Sequence, residues 1–272
     1  MTFKFKVAAV ALAVSAVGSA QAQKAPEPGF TISPYVALLS DYRFRGIEQT
    51  SGAPALQAGV DFTLKNGFYA GVFTSNVKWI QDMNGATSGT REVDYFGGYK
   101  TQISSDLTLD IGAIRYSYPD NNSGGAGSRN VGGYSNADTT EYYLGLSYGS
   151  MSFKYSQSIG DFLGNLQSNA SRYYDFSFNY DLGDGFTFVP HLGYQTIPNQ
   201  SSGADIGNAA NYFDAALTLN KDFGNGWSVL ASAIGTTAKQ GGFYQTVPAL
   251  NPDRVNRNLA SSTVVFGLKY AF

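Results

Sequence analysis

The chain has 272 residues, of which 14% are charged, against about 25% in ordinary globular domains, and 15% are aromatic. With no cysteine and a single histidine it excludes disulfide frameworks, thiolate metal sites, thiol catalysis and any multi-histidine metal centre. A formal charge of −2 gives nucleic acid no broad electrostatic attraction, which removes that partner class.

In chain order the first expected element is an export signal. Lys4 and Lys6 form a short positive region, Val7 to Val17 is apolar apart from Ser15, and Ala20-Gln21-Ala22 is the small-x-small pattern of a cleavage site. Cleavage after Ala22 divides the chain into a signal peptide, residues 1–22, and an exported body, residues 23–272. A membrane-anchor helix needs about 20 apolar residues; this run has 11 positions, and no later stretch is longer.

Beyond the signal the dominant pattern is period two. Twelve alternating segments begin near Ile32, Ala55, Phe68, Glu92, Leu107, Thr139, Met151, Arg172, Phe186, Tyr212, Trp227 and Ser261. In the second, Leu56, Ala58, Val60, Phe62 and Leu64 alternate with Ala55, Gln57, Gly59, Asp61 and Thr63. In the sixth, Tyr142, Leu144, Leu146 and Tyr148 oppose Glu141, Tyr143, Gly145 and Ser147; in the eighth, Phe176 and Phe178 oppose Asp175 and Ser177. Segments of about 9–11 residues cross a bilayer when tilted roughly 45°.

The connections alternate in length. Five are tight, including Lys65-Asn66-Gly67 and Gly183-Asp184-Gly185, where Asn-Gly and Asp-Gly supply hairpin geometry. Six are longer, near 47–54, 78–91, 119–138, 160–171, 197–211 and 239–260. The expected fold is therefore all-β: a transmembrane antiparallel up-and-down barrel of about 12 strands, with short periplasmic turns and longer extracellular loops. A soluble sandwich would also alternate, but its water-facing side would carry Lys and Glu. Here that side is Gly, Ser, Thr, Asn and Asp, and aromatics gather near the strand ends. The last strand places Phe266, Leu268, Tyr270 and Phe272 on one face, a pattern expected to be read by the barrel-assembly machinery.

The run SDYRFRGIEQTSGAPALQAGVDF (Ser40 to Phe62) resembles the opening of the TorF family of outer-membrane porins. GFYAGVFTSNV (Gly67 to Val77), EVDYFGGY (Glu92 to Tyr99) and the terminal Phe are similar too, and the likeness extends along most of the exported body. The resemblance implies an outer-membrane barrel for passive solute diffusion and supplies no substrate.

Chemistry-bearing candidates are few. His191 is expected to point inward, opposite Phe188, Leu192 and Tyr194, and no local Ser-His arrangement accompanies it, so no catalytic residue is assigned. None of the glycines leads into a Gly-Lys-Ser/Thr end. The loop at Asp120-Asn121-Asn122-Ser123-Gly124-Gly125 has Val131 where a calcium loop needs a bidentate Glu, so it is read as a polar outer loop, with no metal and no cofactor expected.

The charges on inward positions are the candidate pore lining. If Tyr42 and Phe44 of the first strand face lipid, Asp41, Arg43 and Arg45 face the lumen; the same parity turns Asp61, Glu92, Asp94, Asp110, Glu141, Lys154, Asp175, His191, Asp214 and Lys269 inward. They form either a charged constriction that tunes selectivity or a set of paired charges that brace the barrel. Arg43 and Arg45 are expected to line the outer half of the lumen together as a fixed fork for carboxylate or phosphate. Inward Gly59, Gly145, Gly193 and Gly267 are expected to thin the filling and leave a narrow water path.

The leading expectation is a narrow channel for small hydrophilic solutes in the outer membrane of a Gram-negative bacterium. The alternatives are a structural or ligand-binding barrel without an open channel and, less favoured with a lone histidine, a lipid- or lipopolysaccharide-acting enzyme. Expected partners are outer-membrane lipids and lipopolysaccharide, the assembly machinery and small solutes, with the barrel a monomer.

Overall fold

Alternating apolar and polar side chains place one face of each strand in an apolar medium and the other in a polar interior, and a sheet in that position must close to satisfy its edges. The computed structural model describes residues 29–202, 205–239, 243–245 and 257–272; the expected signal peptide, residues 1–22, lies outside the described residues. Twelve strands run antiparallel: β1 (Phe30–Leu39), β2 (Ala55–Leu64), β3 (Phe68–Asn76), β4 (Arg91–Gln102), β5 (Leu107–Ser117), β6 (Thr139–Tyr148), β7 (Met151–Ile159), β8 (Arg172–Phe178 and Tyr180–Gly183, interrupted at Asn179), β9 (Phe186–Thr196), β10 (Tyr212–Gly224), β11 (Trp227–Thr236) and β12 (Thr263–Ala271). Each pairs with the next, and β12 returns to β1 in the register Tyr35 opposite Ala271 through Leu39 opposite Gly267, so no edge is left open.

The tight turns have the expected cause. Asp184-Gly185 and Asn225-Gly226 adopt positive φ at both positions, +50° and +78° in the first, +51° and +83° in the second. That backbone matches the twist of the flanking strands. The outward face is apolar: Leu56 is 67% and Phe266 61% exposed, consistent with a surface that meets lipid chains rather than water. Rings gather at both ends of the strands. Trp227, Tyr270 and Phe272 pack together beside the turns, and Tyr155, Tyr174, Tyr194 and Phe213 form a ladder across four adjacent strands toward the loops.

The interior departs from expectation in two places. The first strand ends at Leu39, and the run after it turns into the barrel. Arg43–Phe44 and Ile47–Glu48 pair as a short hairpin whose tip, Arg45-Gly46, has φ of +49° and +78°. Tyr42 and Phe44 are 5% and 8% exposed, inside the molecule and not on the lipid face. Period two cannot distinguish a strand facing lipid from a hairpin packed on both sides by protein, which is why Tyr-Arg-Phe-Arg read as an extension of β1. Gly46 is required for space as well as for φ. A Cβ there would lie 2.5 Å from Thr236 Cγ2 and 2.9 Å from Asp214 Cβ, so the hairpin tip presses against the wall at β10 and β11.

The inward glycines, second, do not thin the filling. A Cβ on Gly59 would fall 2.6 Å from the Tyr35 ring, and Leu39 occupies the equivalent space over Gly267. Tyr69 lies over Gly98, Tyr143 over Gly112 and Tyr173 over Gly193, each on a neighbouring strand. These glycines make room for large inward rings to lie flat on the wall; Gly145, whose nearest neighbour would be Asp110 Cβ at 3.4 Å, is the roomier exception.

Candidate functional site

The hairpin tip carries two arginines into a low-dielectric interior, where each must find acceptors. Arg43 Nε donates to Asp41 Oδ2 at 2.6 Å, and its Nη1 donates to the carbonyls of Leu259 (3.1 Å), Ser261 (3.0 Å) and Gly46 (3.3 Å). It therefore ties the hairpin to the last loop and to its own turn. Burial pushes the Asp41 carboxyl above the ordinary carboxylate range, with the Arg43 guanidinium pulling the other way.

Arg45 reaches across the lumen. Its Nη1 and Nη2 donate to Glu141 Oε1 and Oε2 at 3.1 and 2.7 Å, and Nη1 also donates to Gln195 Oε1 at 2.7 Å. The guanidinium stands 4.3 Å from the Tyr173 ring centroid and 4.8 Å from that of Phe44. Glu141 and Gln195 have no exposed surface, so their contacts with Arg45 are made away from water. The expectation that Arg43 and Arg45 stand side by side on β1 and offer open guanidinium groups to passing solutes is corrected: they lie off the strand, on the hairpin, and both are engaged. The physical reason is charge. A guanidinium this deeply buried is stable only against a carboxylate or several carbonyls.

The base of the hairpin is fastened from the loops. Glu48, fully buried, accepts from Arg257 Nε and Nη2 at 2.7 and 2.6 Å. Lys78 and Trp79 donate their backbone N–H groups to Gln49 O at the start of α1 (Trp79–Met83), and Ser51 bonds Asp82 on that helix. Between the hairpin and the loops a small cavity of about 40 Å³ is bounded by Phe44, Trp79, Phe162, Tyr212 and Tyr244, room for only a few waters.

Below Arg45 lies a second layer. His191 Nε2 sits 3.0 Å from Asp214 Oδ1, and its Nδ1 is 3.2 Å from Asp175 Oδ1 but off the line of a hydrogen bond. The Tyr173 hydroxyl donates to Asp214 and lies 3.1 Å from His191 Nε2. Nearer the turns, Lys269 stands 4.0 Å from the Tyr35 ring, Lys154 5.5 Å from that of Tyr143, and Tyr69 donates to Asp110 at 2.6 Å while meeting Tyr143. Asp61 is half-buried on β2 beside the Lys269 layer. Glu92 and Asp94 face inward from β4 behind the hairpin.

The sequence-expected acids and lysines of the other strands sit on inward positions, whereas Asp41, expected on the first strand, lies beyond its end with Arg43 and Arg45. Tyr173, Gln195, Glu48 and the Tyr69–Tyr143 pair complete the layers and were not singled out from sequence. Tyr69 and Tyr143 carried a signal, since each is an inward tyrosine opposite a glycine on the adjacent strand, visible only once the register is known.

The described residues thus form a closed twelve-strand antiparallel barrel with a polar, layered interior and an inward first loop. The KdgM porin, in a structure titled as a complex with disordered oligogalacturonate, superposes with a TM-score of 0.52 at 9% identity, covering 89% of this chain and 99% of that one. The NanC porin superposes with a TM-score of 0.53 at 14% identity and the same coverage, 89% and 99%. At such identities the likeness is one of fold. By sequence, residues 23–272 match the family described as "Bacterial protein of unknown function (Gcw_chp)", and the chain belongs to that family. No curated protein matches it.

Proposed function

We propose that this protein is an outer-membrane channel for passive diffusion of small hydrophilic solutes, exported with removal of residues 1–22 and narrowed by its inward first loop. The observation that carries the reading is how the lumen is obstructed. The outer level is filled by one hairpin held through Arg45 to Glu141 and Gln195, while the barrel wall closes independently through β12 and β1. An obstruction of that kind can withdraw without dismantling the sheet. The TorF resemblance and the fold shared with the KdgM and NanC porins support the same class.

A second reading, a barrel without an open channel, is favoured by the complete burial of Glu141 and Gln195. The reading of a lipid-acting enzyme gains no support. His191 is held by two carboxylates and a phenol, and no serine hydroxyl bonds it among the described residues. Planar-bilayer recording of the purified full-length barrel separates the first two. Discrete steps in wild type, enlarged in Arg45→Gln, support the loop-narrowed channel. Silence in both proteins supports the closed barrel.

A further inference from the structure

Among the described residues the outward positions of the twelve strands hold no acid and four bases. Lys221 lies at the turn end, and Arg91, Arg115 and Arg172 lie at the loop end of β4, β5 and β8. Arginine on the lipid face is strongly disfavoured at mid-membrane and tolerated at the interface, so the loop-end three mark headgroup level.

Two of them converge. Arg115 leans over β6, its Nη1 donating to Thr140 Oγ1 at 3.1 Å and its Nη2 to Asp138 Oδ2 at 3.0 Å, with nearly half of the side chain exposed. Arg172 leans the opposite way, over β7, its Nε donating to Gln157 Oε1 at 3.3 Å. Thr140 lies opposite Ile159 and Gln157 opposite Tyr142, so the two anchors are diagonal neighbours on adjacent strands, about 7–8 Å apart. Two guanidinium groups are thus drawn together from β5 and β8 on the outside of the barrel. Asp138 offsets one of them and is itself occupied by the Tyr118 N–H at 2.8 Å. The terminal nitrogens of Arg172 have no protein acceptor among the described residues. Arg91, four residues beyond the Tyr95–Arg115 pair and about 13 Å farther along the strand, stands outside this patch.

The patch is also one-sided. Next to it the loop-end rim carries the ring ladder of Tyr155, Tyr174, Tyr194 and Phe213. The rim on β1, β2 and β12 instead presents Leu38, Leu56 and Val264, aliphatic and exposed. A belt serving only to float the barrel would repeat around it. Two like charges held at adjacent anchors call for an anion between them, and the planar fork of arginine matches phosphate. The neighbouring phenols add hydroxyls suited to sugar oxygens.

We propose that Arg115 and Arg172 bind the phosphate of one phosphorylated glycolipid headgroup, of the lipopolysaccharide type, in the outer leaflet. The inference rests on the outer-membrane placement and not on conduction, so a silent bilayer recording leaves it standing.

The probe is diphosphorylated lipid A, added to the full-length barrel in detergent and counted by native mass spectrometry. Wild type should retain one lipid A and bind its dephosphorylated form about tenfold or more weakly. The double variant Arg115→Gln, Arg172→Gln should lose about tenfold or more in lipid A affinity while keeping the wild-type heat-modifiable band on gels. Lys221→Gln, at the turn end, should stay within about twofold of wild type. Absent binding, or equal binding of the two glycolipids by wild type, overturns the proposal whatever the variants do, since it leaves acyl chains as the only ligand. Wild-type affinity in the folded double variant overturns it, as does an equal loss in Lys221→Gln, which would show unspecific charge attraction. Displacement of lipid A by millimolar inorganic phosphate would mark a free-phosphate site and also refutes it.

Discussion

Replacing Arg45 with Gln should release the inward hairpin. In the wild type the guanidinium makes two hydrogen bonds to Glu141, one to Gln195 and a face contact with Tyr173. Truncation leaves Glu141 charged, with no exposed surface and only a 3.4 Å contact from the Tyr116 hydroxyl. Removing one partner of a buried ion pair costs about 3–5 kcal/mol, chiefly the price of the stranded charge. Since the barrel closes without the hairpin, that cost falls on hairpin docking, and the undocked population should rise roughly a hundred- to several-thousand-fold. The absence of cysteine makes the assay direct. Ile47→Cys introduces a unique thiol at a buried hairpin position, and its rate of reaction with a bulky charged maleimide reports undocking. The rate should increase about a hundredfold or more in the Arg45→Gln background. Ser201→Cys, on an exposed loop, should react at the same rate in both. Glu141→Gln should resemble Arg45→Gln, and the double variant should be no worse than either, because it strands no charge. Equal Ile47→Cys labelling with and without Arg45 would refute the idea that this contact holds the hairpin.

Three further expectations test other levels of the structure. Leu144→Arg, at a mid-strand lipid position, should destabilise the barrel by about 2–4 kcal/mol, whereas Phe30→Arg at the turn-end rim should cost about 0–1 kcal/mol; denaturant unfolding in lipid vesicles measures both, and equal losses would mean that the depth assignment is wrong. Gly112→Ala should cost about 1–3 kcal/mol, because its Cβ would fall 2.5 Å from Tyr143 Cζ and 2.6 Å from Gly97 O, while Gly145→Ala, with 3.4 Å to Asp110 Cβ, should be nearly silent in the same unfolding assay. His191→Leu should destabilise by about 3–5 kcal/mol by leaving Asp175 and Asp214 buried together, and adding Asp175→Asn and Asp214→Asn should restore most of the loss; no recovery in the triple variant would show that the ring itself, not its charge, braces this level.

The sequence by itself determined the barrel. Period two with lipid-sized apolar faces, Asn-Gly and Asp-Gly at alternate connections and the scarcity of surface charge are local properties, and they specified twelve strands, the turn end and the loop end, and which side of each strand turns inward. Asp175, Glu141 and Lys269 could be placed inside from parity alone, because a side chain's face depends only on its own strand. What tertiary structure decided was everything that requires two distant strands at once. Arg45 meets Glu141, Gln195 and Tyr173 through contacts spanning 96 to 150 residues for the two hydrogen-bonded partners, and no local pattern encodes that. The Tyr-Arg-Phe-Arg run keeps the alternation of β1, so whether it continues along the wall or turns into the lumen was settled by the space beside Asp214 and Thr236 into which only Gly46 fits. Gly59 of β2 and Gly193 of β9 likewise looked like openings in the lining and are instead seats for Tyr35 and Tyr173, because an inward side chain lies over the strand beside it and not over its own. Parity fixes direction, but occupancy of a lumen depends on register and reach, and those exist only once the sheet has closed.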